Sequence, residues 1–211
     1  MSAAAPLTPI EFAELVGVSR ETLRRLEAYA SLLTEWSARI NLIARSTLTD
    51  LWRRHFLDSA QLLSLLPPTV HSLVDLGSGA GFPGLVLAIL GVDGVELIEA
   101  DSRKASFLRE ASRVAAVDVT VRGCRIETVP AHDVDVVTAR ACAPLDRLLP
   151  LAERFIGPQT TCLFPKGARA EEELTAACKA WTMAVSRYPS RAEPGGMILS
   201  LQQVIRGPSR T

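Results

Sequence analysis

Apolar residues recur along this chain with two different periods, and the change falls near residue 70. Before it, Val18, Thr22, Leu26, Tyr29, Leu33, Trp36 and Ile40 return every three or four positions, the spacing that gives a helix one apolar face. This predicts a helix from about Ser19 to Ser37. Thr8-Pro-Ile-Glu11 has the form of a capping box with proline at the first helical position, and Gly17 is placed to end that short helix. A third helix is expected from Thr49 to Leu66, stopped by Pro67-Pro68. After residue 70, short apolar runs alternate with helical segments, which argues for a parallel sheet with helices on both faces. Strands are expected at about 72–76, 95–99, 119–122, 134–139 and 160–164, and helices near 84–90, 102–116, 144–155 and 170–181. Two further strand-like runs, Thr182–Arg187 and Met197–Ile205, would form an antiparallel hairpin at one edge. The expectation is an α/β fold in one compact unit, with residues 1–70 as an N-terminal helical cap packed on a core of residues 71–211.

The transition from the first strand to its helix carries the chemistry. Leu73-Val-Asp75-Leu-Gly77-Ser-Gly79-Ala-Gly81-Phe82-Pro-Gly84 runs from an apolar strand through a glycine-rich loop into an apolar helix. Glycine lets a backbone turn tightly or lie against a ligand, and a helix start offers unpaired N–H groups. Gly79-Ala-Gly81-Phe-Pro-Gly84 satisfies the G-x-G-x-x-G dinucleotide pattern, and Glu99 lies twenty residues beyond Gly79, where a ribose-binding acid belongs. Both a nicotinamide dinucleotide and another ribose-bearing cofactor are compatible with that much. Asp75 before Gly77 extends the pattern to D-x-G-x-G-x-G, which resembles the first motif of class I S-adenosylmethionine-dependent methyltransferases and favours that cofactor. The resemblance implies a Rossmann-like sheet, a glycine loop passing the methionine part of the cofactor, and Glu99 on the ribose hydroxyls.

Composition narrows the setting. The 211 residues suffice for one sizeable domain with an appended segment. No run approaches the ~18 apolar residues of a membrane span, and the start, Met1 to Pro9, lacks the basic flank and apolar centre of a secretion signal. A cytoplasmic protein with no membrane partner is expected, and without an exposed heptad seam, a monomer. Cys124, Cys142, Cys162 and Cys178 form no C-x-x-C pair and have no histidines arranged as ligands, so no metal is expected. None follows a proline, which excludes the Pro-Cys nucleophile of cytosine-C5 methyltransferases. Formal charge is zero, but residues 71–139 are net acidic and residues 140–211 net basic. Of the 23 basic residues, 20 are arginine, whose planar fork suits phosphate and guanine.

In an open α/β sheet, ligands bind beyond the carboxyl ends of the strands. Those ends carry the Asp75–Gly81 turn, Glu99, the turn around Arg125-Ile126-Glu127, Arg140 and Lys166-Gly167. Arg140 ends an apolar run, and a cation at that depth needs a partner. In the third helix, Arg54, His55, Asp58 and Ser59 form a polar stripe, either a solvated face or the substrate side of the cleft.

Taken together, Asn41-Leu42, Arg54-His-x-x-Asp58-Ser59, Asp75 to Gly84, Glu99 with Arg103-Lys-x-x-Phe-Leu-Arg109, Arg125-Ile-Glu127, Arg140-Ala-x-Ala-Pro144 and Lys166-Gly167 resemble the GidB family of bacterial 16S ribosomal RNA guanine-N7 methyltransferases. The resemblance spans roughly residues 40 to 167. It implies methyl transfer from S-adenosylmethionine to N7 of a guanosine in the 530 loop, with 16S ribosomal RNA or the small ribosomal subunit as partner. It implies cofactor contacts at Gly77, Phe82, Ile126, Glu127 and Arg140, to which the fold logic adds Asp75, Gly79 and Glu99. Arg140 and Lys166 are the candidate catalytic residues, and Arg54, His55, Asp58 and Ser59 the candidate substrate side. Guanine N7 has a free in-plane lone pair and no proton, so no general base is needed and no catalytic dyad is expected. A small-molecule methyltransferase shares the same cofactor half and is the alternative reading.

Overall fold

The computed structural model describes residues 5–207; of the reading of the chain's start, residues 1–4 lie outside them. Two capped helices lead in. In α1 (Pro9–Val16), Thr8 and Glu11 form the reciprocal capping box and Gly17 closes the helix in the left-handed region at φ 75°. Helix α2 (Arg20–Ser37) is capped by Ser19 and buries Leu26, Tyr29, Ala30 and Leu33 along one face.

The third helix is not the continuous one expected. Residues 45–65 run through a 3-10 turn (Arg45–Asp50), a π turn (Trp52–Leu57), one short α turn, α3 (Asp58–Ala60), and a second 3-10 turn (Gln61–Leu65). Tertiary hydrogen bonds account for the break. The Asp58 amide donates to His55, three residues back, rather than to Arg54, and the Arg54 carbonyl instead accepts from the Arg140 guanidinium at 3.0 Å. Such irregular turns recur at functional sites.

The core is a seven-stranded sheet in the order β3-β2-β1-β4-β5-β7-β6. Strands β1 (Leu73–Leu76), β2 (Val95–Ile98), β3 (Thr120–Arg122), β4 (Val134–Thr138) and β5 (Ile156–Lys166) are parallel, whereas β6 (Trp181–Pro189) and β7 (Met197–Arg206) form the antiparallel edge hairpin. Helices α4 (Gly84–Ile89), α5 (Ser102–Val114), α6 (Leu145–Ala152) and α7 (Ala170–Ala177) are the crossovers. The expected Rossmann-like sheet with its edge hairpin is therefore present. Strand β5 is longer than expected because its first half runs past β4 and its end pairs with β7. Pro165 is tolerated there because pairing with β4 stops at Leu163, two residues earlier.

Alternation along each strand assigns two cores. Leu73, Leu97, Val136 and Leu163 face one side with α1, α2, α4, α5 and the 42–62 segment. Val74, Ile98, Val137, Cys162 and Phe164 face the other, beneath α6 and α7. The N-terminal helices thus share their apolar core with one face of the sheet. Strand order reverses between β1 and β4, and the crevice beyond their carboxyl ends is where ligands of such sheets sit.

One bond ties the cap to the glycine loop. Tyr29 is fully buried in α2, and its hydroxyl donates to the Ala80 carbonyl. Gly81 has φ +96°, and a Cβ there would stand 2.8 Å from the Tyr29 oxygen. Replacing Tyr29 with Phe leaves that carbonyl buried without its donor. The variant should lose roughly 1–3 kcal/mol of stability, read as a lowered urea midpoint with an unchanged slope; an unchanged midpoint would show that the bond contributes nothing.

Candidate functional site

The carboxyl ends of β1, β2, β4 and β5 open into a cavity of about 680 Å³, within the roughly 300–1,000 Å³ of small-molecule sites. One wall is the glycine loop from Gly77 to Ala80 with Phe82, Glu99 and Lys104. Opposite lie Arg140 to Pro144 and Pro165 to Gly167, while the cap contributes Leu42 to Ala44, Thr47, Arg54, His55 and Asp58. Ser190 and Glu193 from the loop joining β6 to β7 complete it.

Gly77 must be glycine on two grounds. Its φ is +64°, and a Cβ would lie 2.7 Å from the Cys142 sulfur. The loop keeps its shape partly through Glu99, which is almost fully buried. Glu99 Oε2 accepts from the Gly79 amide at 2.8 Å, and Oε1 from the Asp101 amide at 2.8 Å. A carboxylate has about four acceptor positions, so Glu99 keeps capacity toward the cavity it lines.

Asp75 is placed differently from the expectation. It points beneath the loop, fully buried, where Thr138, its register partner on β4, donates to Oδ1 at 2.7 Å. Burial pushes its carboxyl up to about 6, only partly offset by the hydrogen bond from Thr138. The start of α4 packs against it: a Cβ on Gly84 would meet the Asp75 side chain at 2.7 Å. Asp75 shapes the loop from below and does not line the cavity.

Arg140 joins sheet to cap. Its Nη1 donates to the Arg54 carbonyl at 3.0 Å and pairs with Asp58 Oδ2 at 3.2 Å, its Nη2 donates to His55 Nδ1 at 2.7 Å, and its guanidinium lies 4.9 Å from the Phe82 ring centre. Because a guanidinium only donates, His55 Nδ1 is the acceptor and the proton sits on Nε2, which reaches Thr47 Oγ1 at 2.8 Å. Thr47 in turn donates to the Ala44 carbonyl at 2.7 Å. Burial, with Arg140 and Arg54 adding to it, pulls the His55 pKa down to about 3. His55 is thus neutral at physiological pH with both nitrogens in use. Burial also raises the Asp58 carboxyl, against the opposing effect of Arg140.

The remaining candidates divide. Arg54 lines the cavity and pairs with Glu193 at 3.3 Å. Lys166 lines it too, but its ammonium pairs with Glu173 at 2.8 Å and donates to the Ala143 carbonyl at 2.9 Å. Glu173 also accepts from the Leu145 amide, so Lys166 braces the turn before α6. Ser59 is fully buried and donates to the His55 carbonyl at 2.7 Å, turned away from the cavity. Ile126 and Glu127 sit on a 3-10 turn after β3, beside the cavity and not among its lining residues. Sequence reasoning missed Thr47, Glu173, Gln61 and the 190–196 loop, all of which act through partners distant in sequence. The only local signal for that loop is its composition, with Pro194-Gly195-Gly196 between the two edge strands.

The residues present suit S-adenosylmethionine. A glycine floor admits no side chain at Gly77, and a buried acid, Glu99, lines the cavity beside it. Solved structures share this fold. The TehB-like S-adenosylmethionine-dependent methyltransferase of Corynebacterium glutamicum matches over 82% of this chain and 98% of its own, with TM-score 0.55 at 14% identity. MtNAS, solved in complex with S-adenosylmethionine, matches over 96% and 85%, with TM-score 0.58 at 16% identity. The fold is the Rossmann-like one of class I S-adenosylmethionine-dependent methyltransferases.

Sequence comparison then fixes the branch. The family model described as rRNA small subunit methyltransferase G, GidB, matches residues 22–194. Ribosomal RNA small subunit methyltransferase G of Rhodospirillum centenum is 58% identical over 194 residues, covering 92% of this chain and 90% of that protein. Its counterpart in Paramagnetospirillum magneticum is 55% identical over 199 residues, covering 94% and 97%. The chain belongs to the GidB family of methyltransferases. Among the described residues no helix is long and apolar enough to cross a membrane, and no cluster of metal-binding side chains occurs.

The neutral His55 has a measurable consequence. Its folded pKa is depressed, so its contribution to stability is complete above the unfolded value of about 6.5 and is lost as pH falls toward 3. In His55→Gln, which keeps an acceptor for Arg140, no proton is taken up on unfolding. Between about pH 7 and pH 5 the wild type should lose roughly 2 kcal/mol more stability than the variant. Urea titrations at both pH values test this, and parallel losses would mean His55 is charged in the folded protein.

Proposed function

We propose that this enzyme transfers the methyl group of S-adenosylmethionine to N7 of a guanosine in the 530 loop of 16S ribosomal RNA. One feature of the cavity supports an acceptor of this kind: its histidine and its four carboxylates are already engaged. His55 is neutral with both nitrogens bonded, Asp58 holds Arg140, Lys166 holds Glu173, and Glu99 holds two backbone amides. None of these groups stands free to remove a proton, and guanine N7 has none to remove. The family relationship supplies the ribosomal RNA substrate, and the sequence resemblance the particular loop and ring position.

Bound S-adenosylmethionine supplies a methyl group on a positively charged sulfur. Guanine N7, with its free lone pair and no proton to lose, would accept that methyl group without help from a base on this chain. The chain's part is alignment, which can supply several kcal/mol of rate enhancement. Gly77 and Gly79 let the backbone approach the cofactor, and Glu99 orients its ribose. Phe82, held by Tyr29 and Phe56 at ring distances of 5.5 Å, fixes the floor beneath Arg140. The Arg140 guanidinium faces cofactor or guanine O6 and leaves N7 free, since an N–H donor on N7 would block the reaction. Arg54, Lys104 and Arg169 at the cavity wall provide cations for RNA phosphate.

The test is the 7-methylguanosine content of 16S ribosomal RNA from cells with and without this protein. One modified guanosine in the 530 loop should disappear in its absence. Wild type should restore it and Gly77→Asp should not. An unchanged nucleoside profile would remove the RNA assignment and leave a methyltransferase acting on a small-molecule acceptor.

A further inference from the structure

Gln61 lies outside every motif of the family resemblance, yet it bridges two walls of the cavity. It is buried, at 5% exposure, in the 3-10 turn after α3. Its Oε1 accepts from the Arg191 amide at 2.8 Å, and its Nε2 donates to the Asp58 carbonyl at 3.0 Å and to Asp58 Oδ1 at 2.9 Å. The orientation of the amide is fixed by chemistry: a backbone N–H requires the oxygen and a carboxylate requires the nitrogen. On one side, then, Gln61 holds the loop between β6 and β7. That loop is stiffened by Ser190 Oγ, which accepts from the Ala192 and Glu193 amides at 3.1 and 3.0 Å, and it presents Ser190 and Glu193 to the cavity. On the other side, Gln61 satisfies one oxygen of Asp58 while the second oxygen holds Arg140.

We propose that Gln61 is a positioning residue that couples the substrate-side loop at 190–196 to Arg140 through Asp58. A glutamine can do this and a carboxylate cannot, because the bridge needs an acceptor at one end and a donor at the other. With the amide in place, the Asp58 carboxyl is shared between Gln61 at Oδ1 and Arg140 at Oδ2. The charged groups acting on Asp58 are Arg140 from the end of β4, Arg54 from the preceding turn and Glu193 from the loop. The net field is cationic on the Arg140 side, so Asp58 turns to whichever donor remains. Loss of the Gln61 donor frees Oδ1 and lets the carboxylate shift away from the geometry that aims the guanidinium.

The test uses Gln61→Glu, nearly isosteric, in the full-length chain, with S-adenosylmethionine affinity measured by calorimetry near pH 6 and near pH 8. At the higher pH two carboxylates face each other, and affinity should fall roughly tenfold relative to wild type. At the lower pH a shared proton restores a donor between them, and affinity should return to within about twofold of wild type. Wild type itself should show no such recovery. Gln61→Asn, uncharged and one methylene shorter, cannot span both partners and should lose several-fold affinity at both pH values; it decides the matter if the glutamate variant does not fold. Wild-type affinity in both variants, or an equal loss for Gln61→Glu at both pH values, would overturn the proposal. The inference rests on the cofactor lying against Arg140. Wild-type protein that binds no S-adenosylmethionine would remove that placement and this coupling together, whereas normal wild-type binding with unaffected variants removes the coupling alone.

Discussion

A guanidinium that cannot lose its proton and cannot be left bare in a half-buried cleft sets the terms for this structure. Arg140 emerges at the end of β4 with 17% of its side chain exposed, and each of its hydrogen-bond partners comes from the N-terminal segment, 82 to 86 residues earlier. Burying such a charge costs several kcal/mol unless it is paired and hydrogen-bonded. The 45–65 segment supplies a backbone carbonyl, a carboxylate and an imidazole nitrogen, and bends out of α-helical form to do so. The cap is thereby fixed at the mouth of the sheet by polar contacts as well as by its apolar face. Phe82 beneath the guanidinium extends the same constraint into the glycine loop.

Local pattern made the frame legible. Apolar runs, caps and turn residues act within a few positions of one another, so the parallel strands, the edge hairpin, α1 and α2 could be read directly. The glycine loop could be read for the same reason, since Gly77 is demanded by its own backbone conformation. What escaped was whatever depends on a distant partner. The stripe of Arg54, His55 and Asp58 was visible as polar residues at helical spacing, but nothing nearby indicates that Arg140 will draw the Arg54 carbonyl out of the helix. Ser59 looked like part of that stripe, yet one further residue of rotation puts it in the core. Lys166 carried the signal of a free cation at a strand end, while the glutamate that engages it lies on the following helix.

The acids show how position sets role. Asp75 and Glu99 both sit at ends of adjacent strands and read alike in sequence. Strand alternation turns Asp75 into the core beneath the cap, where burial favours its neutral form. Glu99, one residue past β2, instead meets two backbone amides at the cavity wall. The first therefore organises the loop from behind, and the second lines the cavity itself.

A zero net charge is compatible with action on RNA. What steers a polyanion is the local field, and charges beyond about 8–10 Å are screened at physiological salt. Acidic residues concentrate in the middle third of the chain, where several are spent internally: Asp135 on the backbone before β1, Asp101 on the start of α5, and Glu96 on Arg122. The cavity wall, by contrast, presents Arg54, Lys104 and Arg169. Arg54 is paired with Glu193, a half-exposed contact that adds little stability and that a phosphate can replace. The cleft's own charges, rather than the sum over the molecule, thus decide how it meets a nucleic acid.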